Sequence, residues 1–265
     1  MEKRPAPRLL VVERACYITP NMVRITFAGD QLDGIPTDRS GGNCKIMLPA
    51  EGQSKEAFAH QLQNGPKPVT RTYTVRMFRD HPREMDIDFV AHGDIGPASK
   101  WASKATPGDF CGFAGPSPVK LTEFYADWYL VAADMTALPV ACATLEAMPN
   151  DAKGLAVFEV LSDADKQPVT APEGIDIRWL INADPHHPST AQQALVKKLS
   201  WPDGVVQTCI AGESSVIRAL RAFVINEKKT PKENAYISGY WKIGLVEDQH
   251  QAEKRNEQSN GKGRP

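Results

Sequence analysis

The apolar positions in the first half of the chain come in short alternating runs. From about residue 8 to 122 these runs are separated by glycine, proline and aspartate at roughly even spacing. They read LLVVERACYIT, MVRITFAG, CKIMLP, TYTVRMF and MDIDFVAH. Short alternating strands of this kind predict an antiparallel barrel or sandwich. The segment AEGQSKEAFAHQLQNGPKP is polar and predicts a loop with a helical turn in it.

The rhythm changes near residue 127, where compact apolar runs alternate with helical patterns. WYLVAA precedes TALPVACATLEAM, LAVFEVL and IDIRWLI precede STAQQALVKKL, VVQTCIAGE precedes SSVIRALRAFVINEKK, and AYISGYW closes the series. Apolar runs without polar alternation are typical of parallel strands that helices cover on both faces. The sequence therefore predicts a β domain over 1–122, an α/β domain with a parallel sheet over 127–256, and a disordered tail over 257–265.

Composition excludes some classes of partner. The chain has 265 residues and a formal net charge of −1, so nothing suggests attraction of the whole protein to nucleic acid or an anionic membrane. No apolar run approaches the roughly 18 residues of a membrane span, and LLVV near the start is too short for a signal peptide. The sequence predicts a cytoplasmic protein. Five scattered cysteines without a CxxC spacing predict neither disulfides nor a metal site.

The stretch RTYTVR, residues 71–76, is too polar for an ordinary core strand. Residues two apart share a face of a strand, so Arg71 and Tyr73 project together and Thr74 projects from the other face. A guanidinium beside a flat ring suits a ligand that combines an anionic group with a planar aromatic system. An exposed sheet face with a cross-strand ion pair is the alternative.

A second polar face and a helix start follow this strand. In DIDFVAHG, alternation places Asp86, Asp88 and His92 on one face. The next segment, GPASKWASK, predicts a helix that begins with proline, and its free N–H groups, with Ser99 in the first turn, form an anion site. An ordinary helix start without a ligand is the alternative.

The succession RxYT, DFVAHG, GPASKWA, PGD and GFAGPSP resembles the flavin-binding domain of the ferredoxin reductase-like superfamily, and specifically the siderophore-interacting proteins. AADMTALPVACATLEAMP, IAGESSVIRALR and YISGYWKIGLVEDQH in the second half are similar to the same family. The resemblance runs from about residue 8 to 250. It implies an N-terminal antiparallel β-barrel that binds flavin, followed by a C-terminal α/β parallel-sheet domain that binds NAD(P)H.

The resemblance also implies an activity, that of a monomeric flavin-dependent ferric-siderophore reductase. Electrons would pass from NADH or NADPH through FAD to the Fe(III)-siderophore, releasing Fe(II). A ferredoxin as the electron donor, or a flavoprotein that binds ferric siderophore without turnover, are the alternatives. Tyr73 and Thr74 would lie beside the isoalloxazine as catalytic residues. The implied FAD-binding residues are Arg71, Tyr73, Thr74, Asp88, Phe89, Val90, His92, Gly96, Pro97, Ala98, Ser99 and Trp101.

Two further sets of residues belong to the nicotinamide and the siderophore. In an open α/β sheet a cofactor binds at the carboxyl ends of the strands, where AADMTA and AGESS are expected to lie. Asp163 and Asp184 favour NADH because they would repel a 2′-phosphate, whereas His187 and Arg178 argue for NADPH. The predicted nicotinamide-binding residues are Asp134, Thr136, Gly212 and Glu213. By resemblance, the residues that attract an anionic ferric siderophore are Lys45, Lys120 and Lys242.

Overall fold

The structure, a computed structural model, describes residues 6–91, 96–187, 189–245 and 249. The predicted disordered tail lies outside these ranges. The chain forms two compact units. The barrel unit consists of Met1–Phe124, Leu138–Asp151 and Asp163–Pro172, and the sheet unit consists of Tyr125–Ala137, Ala152–Ser162 and Glu173–Pro265. The predicted domain limits at 122 and 127 stay a prediction.

Six antiparallel strands close the barrel. They are β1 (Arg8–Thr19), β2 (Met22–Ala28), β3 (Asn43–Leu48), β4 (Val69–Asp80), β5 (Arg83–Val90) and β6 (Phe110–Ala114). Their order around the barrel is β1-β2-β5-β4-β3-β6. The predicted antiparallel barrel is confirmed, and the alternation that predicted it fills the interior. Each strand contributes a fully buried side chain, in order Leu10, Ile25, Ile46, Val75, Ile87 and Phe113.

The segment between β3 and β4, predicted as a loop with a helical turn, contains a longer helix than predicted, α1 (Lys55–Asn64). The Ser54 side chain accepts a hydrogen bond from the Ala57 N–H, which caps the helix start. Phe58 is fully buried and anchors the helix. The helix ends at Gly65, whose N–H donates to the Gln61 carbonyl.

Two further helices belong to the barrel unit, α2 (Pro97–Lys104) and α3 (Leu138–Ala147). Arg76 of β4 forms a two-pronged ion pair with Glu146 of α3, at 2.9 and 2.6 Å. The segment after Asp163 is tied to the β1–β2 turn by Asp165. The fully buried Asp165 carboxylate accepts bonds from the Thr19 hydroxyl and from the backbone and side-chain amides of Asn21.

The sheet unit contains five parallel strands, which confirms the predicted α/β architecture. They are β7 (Trp128–Asp134), β8 (Lys153–Val160), β9 (Gly174–Ile181), β10 (Val206–Glu213) and β11 (Ala235–Trp241), in the order β11-β10-β7-β8-β9. Its helices are α4 (Ala191–Lys197) and α5 (Ser214–Arg221), which continues as a π-helical turn over Ala222–Glu227. No helix in the described part of the chain is long and apolar enough to cross a membrane.

The direction of chain winding reverses between β7 and β10. Strands β8 and β9 follow β7 on one side, whereas β10 and β11 extend the sheet on the other. In sheets of this type, ligands bind outside the carboxyl ends of the strands at such a switch point. The switch point places Asp134, the last residue of β7, beside Glu213, the last residue of β10.

Candidate functional site

Three aromatic rings form a connected series in the barrel unit. The ring centroids of Tyr73 on β4 and Phe89 on β5 are 4.2 Å apart, and those of Phe89 and Trp101 on α2 are 5.8 Å apart. Phe89 is fully buried, while Tyr73 and Trp101 are half-buried and pack on the core. The series therefore joins three of the segments predicted to bind flavin.

The site lies where two neighbouring strands part. The β4–β5 ladder extends from Asp80 and Arg83 to Val75 and Ile87. Nearer its start, β4 pairs with β3 instead, while the end of β5 pairs with β2 up to Val90. Tyr73 and Phe89 lie just beyond the last β4–β5 pair. A flat ligand can reach a tyrosine ring at such an opening.

Thr74 holds a buried hydroxyl without a partner. The residue is 3% exposed, and Oγ1 has no hydrogen-bond partner among the described residues. A buried polar atom left unpaired costs roughly 1–3 kcal/mol, so each such atom calls for an explanation. A ligand atom that bonds to the hydroxyl would supply one. The unpaired hydroxyl of Thr74, the residue after Tyr73 on β4, fits the predicted flavin.

Arg71 and the start of α2 provide the groups for an anion. Arg71 lies two residues before Tyr73 on β4 and donates one bond to the Thr70 carbonyl at 2.9 Å. Helix α2 begins at Pro97 after Gly96, with neither an acidic residue in its first turn nor a side-chain cap. Ser99 and Ala98 are buried in this turn. Its N–H groups suit a phosphate. His92, assigned to the same site, lies outside the described residues.

The polar face of β5 is occupied by ion pairs within the barrel. Arg24 donates to both oxygens of the buried Asp88 carboxylate, at 2.7 and 2.8 Å. Arg79 donates to both oxygens of Asp86, at 2.7 and 3.0 Å. The sequence correctly predicted this polar face. The structure gives Asp88 an internal cation, and its contact with a cofactor stays a prediction, as does that of Val90 at the end of the strand.

Glu84 completes this network. Arg14 donates to its two oxygens at 2.7 and 2.9 Å, and Arg79 donates to Oε2 at 2.8 Å. The hydrogen bonds from Arg14 and then Arg79 lower the pKa of Glu84 to about 2. The network stabilises the outer face of β1, β4 and β5 rather than forming a ligand site.

The sheet unit brings the four predicted nicotinamide-binding residues together at the switch point. Asp134 Oδ1 accepts bonds from the Thr136 N–H (2.9 Å) and hydroxyl (2.6 Å). Asp134 Oδ2 accepts bonds from the Glu213 N–H and the Trp241 indole, both at 2.8 Å. Burial raises the pKa of Asp134, and these donors oppose the shift. The approach requires Gly212, because a Cβ there would lie 2.6 Å from Asp134 Oδ2.

Glu213 is engaged in a similar way. Its Oε2 caps helix α5 by accepting bonds from the Ser215 N–H (2.7 Å) and the Val216 N–H (3.1 Å). Its Oε1 accepts a bond from the Ile243 N–H at 3.3 Å. The acidic side chains at the switch point thus bond to backbone and side-chain donors of the sheet unit itself.

The three predicted siderophore-binding lysines are divided between the units. Lys45 is exposed on β3 and donates to the Thr72 hydroxyl on the neighbouring strand β4. Lys120 is also exposed in the barrel unit, whereas Lys242 is half-buried in the sheet unit. The described ranges contain no group of three or more His, Cys, Asp or Glu that could hold a metal ion.

Two residues of the site were missed from the sequence. Trp241 lies in YISGYWKIGLVEDQH and had no predicted role, although its indole bonds to Asp134. Glu159 lies close to the end of β8, the second strand of the sheet unit in chain order, and its Oε2 has no partner among the described residues. An acidic residue just after an apolar run, in LAVFEVL, was the signal available for Glu159.

The chain is similar throughout to proteins of one family. A family model described as siderophore-interacting FAD-binding domain matches residues 11–120, and one described as siderophore-interacting protein matches residues 126–244. Ferric vibriobactin reductase ViuB of Vibrio cholerae is 35% identical over 262 residues, 95% of each chain. NADPH-dependent ferric-chelate reductase of Escherichia coli is 27% identical over 88% of this chain and 92% of its own. The crystal structure of siderophore-interacting protein SipS from Aeromonas hydrophila matches with a TM-score of 0.82 and 30% identity, covering 96% of this chain and 98% of that one.

Proposed function

Because the chain belongs to the siderophore-interacting protein family, we propose that it is a flavin-dependent ferric-siderophore reductase. NADH or NADPH is the electron donor and the Fe(III)-siderophore is the acceptor. One NADPH supplies two electrons, so two Fe(III) become Fe(II), with one NADP⁺ and one proton released. Fe(II) binds hard oxygen chelators far more weakly than Fe(III), so reduction frees the iron.

The observation that carries this proposal is the grouping of Arg71, Tyr73 and Thr74 where β4 and β5 part. FAD, when bound, supplies the redox chemistry, and the protein supplies binding, orientation and electrostatics. Tyr73 would pack on the isoalloxazine, and the Thr74 hydroxyl would gain the partner that it lacks among the described residues. The diphosphate would lie between the Arg71 guanidinium and the start of α2, with Gly96, Pro97, Ala98 and Ser99. Phe89 and Trp101 support the ring side of this site.

The nicotinamide is proposed to bind at the switch point of the sheet unit. The residues that favoured NADH are each paired: Asp163 with Lys166 at 2.5 Å, and Asp184 with His187 at 2.6 Å. Arg178, which favoured NADPH, is paired with Asp176. Similarity to an NADPH-dependent ferric-chelate reductase supports NADPH. The proposal includes both NADH and NADPH as electron donors.

Lys45, Lys120 and Lys242 are proposed to attract the anionic ferric siderophore. Lysine supplies a compact point charge without the two-pronged geometry of arginine, which suits attraction of a charged complex more than fixed recognition of a carboxylate. The protein is proposed to act as a monomer in the cytoplasm, where reduced nicotinamides are available.

A ferredoxin is the second candidate for the electron donor. The observation in its favour is that Asp134 and Glu213 at the switch point already bond to the protein's own loops. A ferredoxin would bind the protein surface and would need no dinucleotide pocket.

Anaerobic stopped-flow spectroscopy tests the proposal. Purified protein is loaded with FAD, mixed with NADH, NADPH or reduced ferredoxin, and then mixed with catecholate, hydroxamate and carboxylate ferric siderophores. We expect one donor to bleach the flavin absorbance and one ferric siderophore to restore it, with Fe(II) appearing. A protein that takes up no FAD, or whose reduced flavin is not reoxidised by any ferric siderophore, would contradict the proposal.

The lysines are tested in the same experiment. Lys45→Ala combined with Lys242→Ala should weaken binding of the ferric siderophore while FAD is retained. Lys197→Ala, at the end of α4, is the matched control for loss of a lysine charge. Equal loss of FAD and siderophore binding in the double variant would show that these lysines are misassigned.

A further inference from the structure

Three hydrogen bonds hold the last residue of β11, Trp241, and the residues just after it at the carboxyl end of the parallel sheet. The Trp241 indole N–H donates to Asp134 Oδ2 at 2.8 Å. The Ser214 hydroxyl donates to the Trp241 carbonyl, also at 2.8 Å. Two residues further, the Ile243 N–H donates to Glu213 Oε1 at 3.3 Å. Residues at the ends of β7 and β10 and at the start of α5 therefore hold the end of β11 and the residues just after it.

Lys242 lies between the two tied residues of this segment. We propose that Asp134 and Glu213 are positioning residues for the siderophore site, which hold the backbone on either side of Lys242, rather than residues that contact the nicotinamide. The inference rests on the proposed function, because it takes Lys242 as a siderophore-binding residue.

The hydrogen bonds of the two carboxylates support a positioning role. Asp134 accepts four bonds, two on each oxygen. Glu213 accepts bonds on both of its oxygens, including those that cap α5. A nicotinamide or ribose group could bond to Asp134, or to Oε2 of Glu213, only by displacing a protein donor. Hydrogen bonds to a charged partner are among the stronger ones in proteins, so such displacement is unfavourable.

Two positions near these hydrogen bonds leave room for them only because they are glycine. Gly212 has a φ of +147°, and its missing side chain leaves room for Asp134 Oδ2. A Cβ on Gly239 of β11 would lie 2.5 Å from the Ser214 hydroxyl oxygen that bonds to Trp241. Two glycines thus permit the close approach of the groups that hold the Lys242 segment.

The variant Trp241→Phe tests this inference, because it removes the indole N–H and keeps an aromatic ring. FAD-loaded protein is titrated by calorimetry with the gallium(III) complexes of catecholate, hydroxamate and carboxylate siderophores, which mimic the ferric complexes and are not reduced. The KM for NADPH is measured in parallel. We expect the Kd of the gallium complex to rise about tenfold, because the segment that carries Lys242 loses one of its three hydrogen bonds, and the KM for NADPH to stay within about twofold. Trp179→Phe, on β9, is the matched control and should change neither value.

The outcomes separate this inference from the proposed function. Wild-type protein that binds none of the gallium complexes would refute the proposed function and this inference with it. Wild-type binding with an unchanged Kd in Trp241→Phe, or a rise in the NADPH KM equal to or larger than the rise in Kd, would overturn the inference alone. If Trp241→Phe loses FAD, Ser214→Ala decides, because it removes only the bond to the Trp241 carbonyl and should raise the same Kd.

Discussion

Tyr73 and Phe89 pack against each other where β4 and β5 part, with ring centroids 4.2 Å apart and ring planes tilted by 41°. Phe89 is fully buried, so the core fixes its position, and Tyr73 takes its position from Phe89. Aromatic pairs of this kind contribute about 0.5–1.5 kcal/mol beyond the area that they bury. Packing on the barrel core therefore contributes to the position of the Tyr73 ring.

Thr74→Val tests the role of the unpaired hydroxyl of Thr74, the residue that follows Tyr73 on β4. Removing a buried polar atom without a partner should raise the free energy of unfolding of FAD-free protein by about 1 kcal/mol. If the hydroxyl bonds to the flavin, the same change should lower the rate of flavin reduction by roughly tenfold. Thermal unfolding and stopped-flow absorbance measure the two effects.

Thr208→Val is the matched control for this change. Thr208 Oγ1 on β10 is also buried without a partner among the described residues. Its removal should stabilise the protein to a similar extent and leave flavin reduction unchanged. Wild-type flavin reduction in Thr74→Val would remove Thr74 from the catalytic residues.

The local patterns of the sequence were sufficient to predict the barrel and the parallel sheet. Each strand could be identified from its own period because burial on one face or on both acts residue by residue. Helix α1 was predicted only as a helical turn, although the signals for its full length were local: Ser54 as a cap, Phe58 as the buried anchor and Gly65 at the end. Its surroundings of glycine, proline and glutamine obscured a helix with a single buried side chain.

The roles of the acidic residues could not be predicted, because their partners are distant in the chain. Asp88 pairs with Arg24, 64 residues away, and Asp134 bonds to Trp241, 107 residues away. A polar strand face has the same sequence pattern whether it binds a ligand or an arginine of the next strand. The β2–β5 pairing places Arg24 opposite Asp88, and the β11-β10-β7 order brings the end of β11 near the end of β7.

Glu84→Gln should make the protein less stable at neutral pH, with an effect that disappears in acid. Arg14 and Arg79 hold the pKa of Glu84 at about 2, below its usual 4.5, so its contribution is present above pH 4.5 and is lost as the pH falls from 4.5 to 2. Because Arg14 is largely exposed, we expect a loss of only about 1 kcal/mol at pH 7. Urea unfolding at several pH values measures it. Glu13→Gln, on the exposed part of β1, is the control, and a pH-independent loss in Glu84→Gln would refute the ion-pair explanation.

Glu159→Gln should have the opposite effect. Burial raises the pKa of Glu159, with smaller opposing contributions from Ser189 and Asn182. A carboxyl with a raised folded pKa stabilises the protein below its unfolded pKa and loses that contribution as the pH rises through the folded value. At pH 7 the charged form is therefore a cost, and glutamine should raise the free energy of unfolding by about 1 kcal/mol. The gain should shrink as the pH falls through the raised pKa of Glu159 and be absent below pH 4.5.

Glu173→Gln is the control for this change, since Glu173 is exposed in the sheet unit. Unfolding in urea is again the measurement. Destabilisation of Glu159→Gln at pH 7 would show that the charged carboxylate has a favourable partner, and that the end of β8 is built to hold a negative charge.

Gly212→Ala should disrupt the carboxyl end of the sheet. The added Cβ would lie 2.6 Å from Asp134 Oδ2, at a φ of +147° that residues with a side chain rarely adopt. Asp134 would have to move away from the Glu213 N–H and the Trp241 indole, so we expect a loss of roughly 3 kcal/mol or more in the free energy of unfolding. Gly52→Ala isolates the backbone contribution, because Gly52 also has a positive φ, +74°, but no atom lies within 4 Å of the position that its Cβ would occupy. That control should lose only about 1 kcal/mol. Equal losses in the two variants, measured by urea unfolding, would show that strain at φ rather than the approach of Asp134 makes glycine necessary at position 212.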